Sequence, residues 1–132
     1  MLILYQVTVD CDDPERLADF WSAAIGYSKH DYSKNYEEHP DWRGKFALIK
    51  RPENGGPGPA TVHFQRATER KTGKNRLHLD LFTDNVPDAV ARLTDLGASV
   101  VEEKRDFDDE WTVMADPEGN EFCVGWLPGT RH

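Results

Sequence analysis

The chain has 132 residues, 38% hydrophobic and 11% aromatic, with a formal net charge of −8. This length supports one compact unit with its own core, folding without disulfides or metal. The acidic balance disfavours DNA, RNA and anionic membranes, which require clustered Lys and Arg, so no nucleic acid and no membrane is expected as partner. The opening residues lack a basic region followed by a long apolar stretch, and no run reaches the roughly 18 apolar residues of a membrane span. The expected location is therefore cytoplasmic, with Cys11 and Cys123 reduced.

Residues 2–11 alternate and are rich in β-branched side chains, which predicts a strand. Asp13-Pro14 then opens a helix over residues 15–25, with Leu17, Phe20, Trp21, Ala24 and Ile25 at helical spacing and Gly26 as its stop. A strand is expected over residues 27–32, and the polar stretch 33–44 reads as a loop. Residues 45–51 and 60–67 read as strands joined by a turn rich in Gly and Pro. The basic residues between Arg66 and Arg76 are interrupted by Thr68, Glu69 and Gly73 and read as a solvated loop.

The second half repeats the order. Residues 76–83 alternate as a strand and place His78 on the face of Asp80 and Phe82. A helix follows Asn85 to about Leu96, Gly97 stops it, and strands are expected over 98–105, 110–115 and 120–126. The acidic run 106–110 is expected to be a solvated hairpin turn, and residues 116–120 a tight turn. Two βαβββ repeats result, at about 1–67 and 75–127, in one domain spanning 1–132. The expected class is α+β, a curved mixed sheet whose open face lines a cleft.

A shift of 72 carries Gln6 onto His78 and Asp13 onto Asn85. Aligning Phe64 with Phe122, a shift of 58, matches Gln65 with Cys123. Gln6, Gln65, His78 and Cys123 then stand as two matched pairs, with His63 and Glu121 as reserves on the same strand faces. Simpler roles exist for each: the glutamines could bond each other or water, Cys123 could be a small buried residue, and His78 could be structural, with Asp80 orienting it. Trp111 and Trp126 are expected on the cleft wall and Trp42 over its mouth, in an aromatic-lined ligand pocket with His63.

The duplicated βαβββ order, the run from Asp13-Pro14 to Phe20-Trp21, the tract Arg76-Leu77-His78-Leu79-Asp80 and the turn Asp116-Pro117-Glu118-Gly119-Asn120 together resemble the vicinal oxygen chelate superfamily. This superfamily includes glyoxalase I, bleomycin and fosfomycin resistance proteins and extradiol dioxygenases; the closest likeness is to small bacterial glyoxalase-like proteins. The resemblance implies a divalent metal (Ni, Zn, Fe or Mn) at Gln6, Gln65, His78 and Cys123, with Glu121 in reserve, and a homodimer. Gln or His suits the first-strand positions, but the family usually has Glu where this chain has Gln65 and Cys123. Loss of both carboxylates removes anionic oxygen ligands and a proton-carrying base. The expectation is thus a small-molecule binding protein of resistance type, the alternative being a metal-dependent lyase, isomerase or dioxygenase.

Overall fold

Strand pairing organises the chain into two compact units, Met1–Arg70 and Lys71–His132. A computed structural model describes residues 1–106 and 109–130. The expected hairpin turn in the acidic run centres on residues 107 and 108, outside the described residues.

In the first unit, β1 (Gln6–Cys11) leads into α1 (Pro14–Ile25), and β2 (Ser28–Lys29), β3 (Phe46–Lys50) and β4 (Thr61–Arg66) complete the sheet. The strand order is β1-β4-β3-β2, with β1 parallel to β4 and the other pairs antiparallel. The second unit repeats this with β5 (Leu79–Thr83), α3 (Val86–Asp95), β6 (Ser99–Asp106), β7 (Asp109–Ala115) and β8 (Glu121–Trp126). Its order is β5-β8-β7-β6, again with one parallel pair, β5 with β8. The fold is α+β, a mixed four-stranded sheet with a helix in each unit.

The repeat shift is visible in the helix caps. The Asp13 carboxylate accepts from the Arg16 backbone N–H at 3.2 Å, and the Asn85 side chain accepts from the Asp88 N–H at 3.1 Å. Each satisfies a donor that the first helical turn leaves without a carbonyl partner. Gly26 ends α1 at φ 76°, a left-handed conformation that favours glycine, and its N–H reaches the Ser22 carbonyl at 2.9 Å.

Period-two alternation divides each sheet into a helix-packed face and an open face. In the first unit Ala47, Ile49, Val62 and Phe64 are buried on one face with Leu17, Phe20 and Trp21 of α1. Their neighbours Phe46, Leu48, Thr61 and His63 point to the other. In the second unit Met114, Phe122 and Val124 are buried on the helix side with Val86 and Leu93 of α3.

Two strands are shorter than their alternation suggests. β1 begins at Gln6 because β4 supplies ladder partners only from Thr61, opposite Gln6. Met1 to Tyr5 are exposed despite their apolar character. Likewise β5 begins at Leu79, opposite Phe122, so His78 precedes the ladder by one residue. The expected strand over 27–32 shrinks to Ser28–Lys29. The expected loop over 33–44 contains a short helix, α2 (Ser33–Glu38), and a 3-10 turn, Pro40–Trp42. Polarity masked both, since neither buries a residue.

The turn before β8 is built around Asp116, which is 4% exposed. Its carboxylate accepts from the backbone N–H groups of Glu118 at 2.9 Å and Asn120 at 3.0 Å, and from the Asn120 side-chain amide. Removing it strands three part-buried donors at once, which costs more than the net value of one hydrogen bond. Asp116→Ala is expected to destabilise the chain by about 2–4 kcal/mol in urea unfolding; a change within about 0.5 kcal/mol would show that the turn holds without its carboxylate.

Candidate functional site

The open face of the first sheet consists of rows set by strand register. Gln6 lies opposite Thr61, Thr8 opposite His63, and Asp10 opposite Gln65. His63 continues the row to Leu48, and Gln65 to Phe46, on β3. The Gln6 side-chain oxygen accepts from the Thr61 hydroxyl at 2.9 Å, and the Gln65 amide donates to Asp10 at 2.8 Å. Gln6 and Gln65 are thus each tied to a different neighbour. Four positions along β4, from Thr61 to Gln65, separate their rows. At about 3.3 Å per residue this is roughly 13 Å, too far for both to ligate one ion.

Register also corrects the match between repeats. Thr8 opposite His63 in the first unit corresponds to Asp80 opposite Cys123 in the second. The shift of 72 between β1 and β5 therefore comes with a shift of 60 between β4 and β8, from 63 to 123, in place of 58. The counterpart of Cys123 is His63, and that of Gln65 is Gly125. A two-residue slip preserves strand parity, so the Phe64–Phe122 alignment left every side chain on its correct face and concealed the error.

Aromatic rings collect above this first face. Tyr32 meets Phe46 edge-on at 5.4 Å between centroids and stacks on Tyr36 at 5.8 Å. Trp42 lies 5.4 Å from Phe46 and stacks on His39 at 4.1 Å. Phe46 in turn lies 5.7 Å from His63, and the Arg43 guanidinium sits 4.8 Å over the Tyr36 ring. The expected site residues Trp42 and His63 are therefore joined through Phe46. Tyr32, Tyr36, His39 and Phe46 were missed by sequence reasoning. The available signals were the four-residue spacing of Tyr32 and Tyr36 and the three-residue spacing of His39 and Trp42, both helical. Burial pushes the Tyr32 and Tyr36 phenols up and the His63 imidazole down, each toward its neutral form.

The second sheet presents different chemistry. Asp80, Cys123 and Val113 form one row of its open face, and Phe82, Gly125 and Trp111 the next. His78 Nδ1 lies 3.3 Å from the Asp80 carboxylate. One donor atom each from His78, Asp80 and Cys123 falls within 4.8 Å of the others. Burial first, then the Asp80 charge and hydrogen bond, push the Cys123 thiol up, so it stays protonated. Glu121 sits beside this group but is engaged by the Lys74 ammonium at 2.7 Å, which holds its carboxyl below the usual range. Together with Lys104 and Trp111 these residues line an open groove of about 450 Å³.

Trp126 lies three positions on from Cys123, and odd spacing puts it on the other face of β8, in the row of Thr83. With Trp111 it borders a second depression, beside Val86 and Pro87 at the start of α3. Among the described residues no helix is long and apolar enough to cross a membrane.

Comparison with known proteins places this architecture. No curated protein matches the sequence significantly. Solved structures match across nearly the whole chain. A glyoxalase/bleomycin resistance protein/dioxygenase superfamily member from Sphaerobacter thermophilus is 18% identical, with 96% of this chain and 98% of that one covered and a TM-score of 0.65. A family enzyme of the same description from Burkholderia phytofirmans is 15% identical, covering 96% and 99%, at a TM-score of 0.64. Lactoylglutathione lyase from Agrobacterium tumefaciens is 16% identical, covering 98% and 96%, at a TM-score of 0.61. At these identities the structures show the fold, and the family follows from the glyoxalase-like domain model, which matches residues 6–125. The chain belongs to the glyoxalase-like domain family, within the vicinal oxygen chelate superfamily.

Proposed function

We propose that the chain binds a small, planar organic molecule on the aromatic shelf of its first unit. The observation that carries this reading is the unbroken set of ring contacts from Tyr36 and Tyr32 through Phe46 to Trp42 and His63. All five of these rings are only half-buried, so they retain apolar surface that a ligand can cover. Covering it yields about 25 cal/mol per Å², and stacking adds about 0.5–1.5 kcal/mol per ring pair. Neutral His63, with Thr8 and Gln6 nearby in the rows, supplies polar groups to orient the ligand. A homodimer belongs to the same proposal and rests on resemblance.

A second reading, a metal-dependent lyase, isomerase or dioxygenase, is favoured by the meeting of His78, Asp80 and Cys123. A bound divalent cation would supply Lewis-acid polarisation of a substrate oxygen. The residues of this chain would hold it and orient the substrate against Trp111. Metal-free, the group has no strong nucleophile, because burial first, and then Asp80, keep the Cys123 thiol protonated.

Calorimetric titration with planar aromatics such as naphthol and quinoline tests the first reading. Trp42→Ala and Phe46→Ala should each weaken binding about tenfold or more, the equivalent of about 1.4 kcal/mol. Failure of any such compound to bind, or undiminished affinity in both variants, would contradict it. His63 supplies a pH test. Its imidazole should titrate below the ordinary value of about 6.5 by NMR, and further down with ligand bound. A histidine depressed in the folded state stabilises above the unfolded pKa, and that contribution disappears as pH falls through the folded one. Binding and stability should therefore both weaken on acidification through this range. A His63 pKa at or above about 6.5 would show that the shelf does not desolvate it.

A further inference from the structure

We propose that the helix-packed side of the second unit carries a separate site for a small organic ammonium ion bearing a flat apolar group. Thr112, Glu103 and Trp126 build it, beside the first turn of α3. It lies on the opposite face of the sheet from His78, Asp80 and Cys123, and it does not depend on the aromatic shelf of the first unit.

The placement follows from strand parity and register. Glu103 stands opposite Thr112, and Thr112 opposite Val124, in one row of the ladder. Val124 is buried against α3, so this row belongs to the helix side. Arg105, Glu110 and Trp126 each lie two residues from a member of that row and share its face. The helix covers the first row and stops short of the second. Val124 is 1% exposed, whereas Trp126 and Glu110 are only half-buried. A depression of about 360 Å³ opens where the cover ends, with Val86 and Pro87 on its helix side. That volume falls in the range of small-molecule sites.

The polar groups select the guest. Thr112 is 6% exposed and lines the depression, and its hydroxyl makes no hydrogen bond among the described residues. A buried hydroxyl without a partner costs stability, and a donor carried in by a guest removes that cost. Glu103, opposite Thr112, forms no ion pair among the described residues. The neighbouring cations are otherwise engaged: Arg105 lies 2.5 Å from Glu110, and Lys104, on the other face, 3.7 Å from Glu102. A carboxylate beside a hydroxyl oxygen accepts from an ammonium group. The positive end of α3 opposes this only weakly, because Asn85 caps the Asp88 N–H, Asp88 adds a negative charge and Pro87 has no N–H. Neighbouring rows on one face lie about 6–7 Å apart. An ammonium held by Thr112 and Glu103 therefore carries a ring on a short linker to the Trp126 indole, where stacking and burial against Val86 and Pro87 hold it.

The test is calorimetric titration of the full chain with phenethylammonium, and with phenylethanol and phenylacetate as its neutral and anionic counterparts. The ammonium ion should bind about threefold or more tightly than the alcohol, with phenylacetate weakest. Trp126→Leu and Thr112→Val should each lower the ammonium affinity about tenfold, and Glu103→Gln about threefold, removing most of the preference over the alcohol. Thr112→Val should melt no lower than the parent, because the hydroxyl it removes has no partner to lose. Trp42→Ala, on the shelf, should leave the ammonium affinity within about twofold. Absence of phenethylammonium binding, equal affinity for the alcohol, or a clearly lowered melting temperature in Thr112→Val would each overturn the proposal. So would a loss in Trp42→Ala with none in Trp126→Leu and Thr112→Val, which would place the amine on the shelf.

Discussion

The parallel ladders, β1 with β4 and β5 with β8, are the constraint on which the rest depends. Side-chain direction along a strand fixes only the face; the ladder fixes the row. The number of rows between two polar groups sets whether they can reach one ligand. Thr8 with His63 and Asp80 with Cys123 are equivalent rows in the two units. From them follow the separation of Gln6 from Gln65 and the convergence of His78, Asp80 and Cys123. The helix on the back of each sheet serves this arrangement by burying one face completely, as Phe64 and Val124 show, and so preventing a slip that would move every side chain across the sheet.

Equivalent rows have diverged in chemistry. The first unit carries rings, a neutral half-buried histidine and hydrogen-bonded amides, which suit flat apolar surface with a few polar contacts. The second carries a carboxylate, an imidazole and a thiol beside Lys74 and Glu121, which suits a charged guest. The insertion that makes the difference is α2 with its following 3-10 turn, between β2 and β3, which brings Tyr36, His39 and Trp42 to the shelf. In the second unit the counterparts of these strands follow closely, β6 ending at Asp106 and β7 beginning at Asp109. A repeat that keeps its sheet while one copy gains a loop allows one face to acquire a new role without disturbing the other.

Much of the fold was legible in the sequence because local chemistry specified it. Asp13 and Asn85 announce helix starts, Gly26 a helix end, and Asp116 through Asn120 a turn, and each forms for the expected reason. The strand limits at Gln6 and Leu79 were not legible, since they depend on where a partner strand begins. The helical turn at Ser33–Glu38 was hidden because it buries no residue, and its one aromatic side chain, Tyr36, packs on Tyr32 just outside it. His78 was singled out from the repeat and Cys123 from an alignment two residues out of register, whereas Asp80 entered only as a possible support for His78, and the strand parity that separates Trp126 from Cys123 was not applied. The slip between Gln65 and His63 shows the general difficulty: alternation repeats every two residues, so it is blind to an error of two.

The central claim is that the ring-bearing open face of the first unit takes a flat apolar guest, and amide chemical-shift mapping addresses it directly. With the isotopically labelled full chain, a planar aromatic compound should shift resonances of residues 30–46 and around His63. A compound that bound and left those resonances in place would contradict the account.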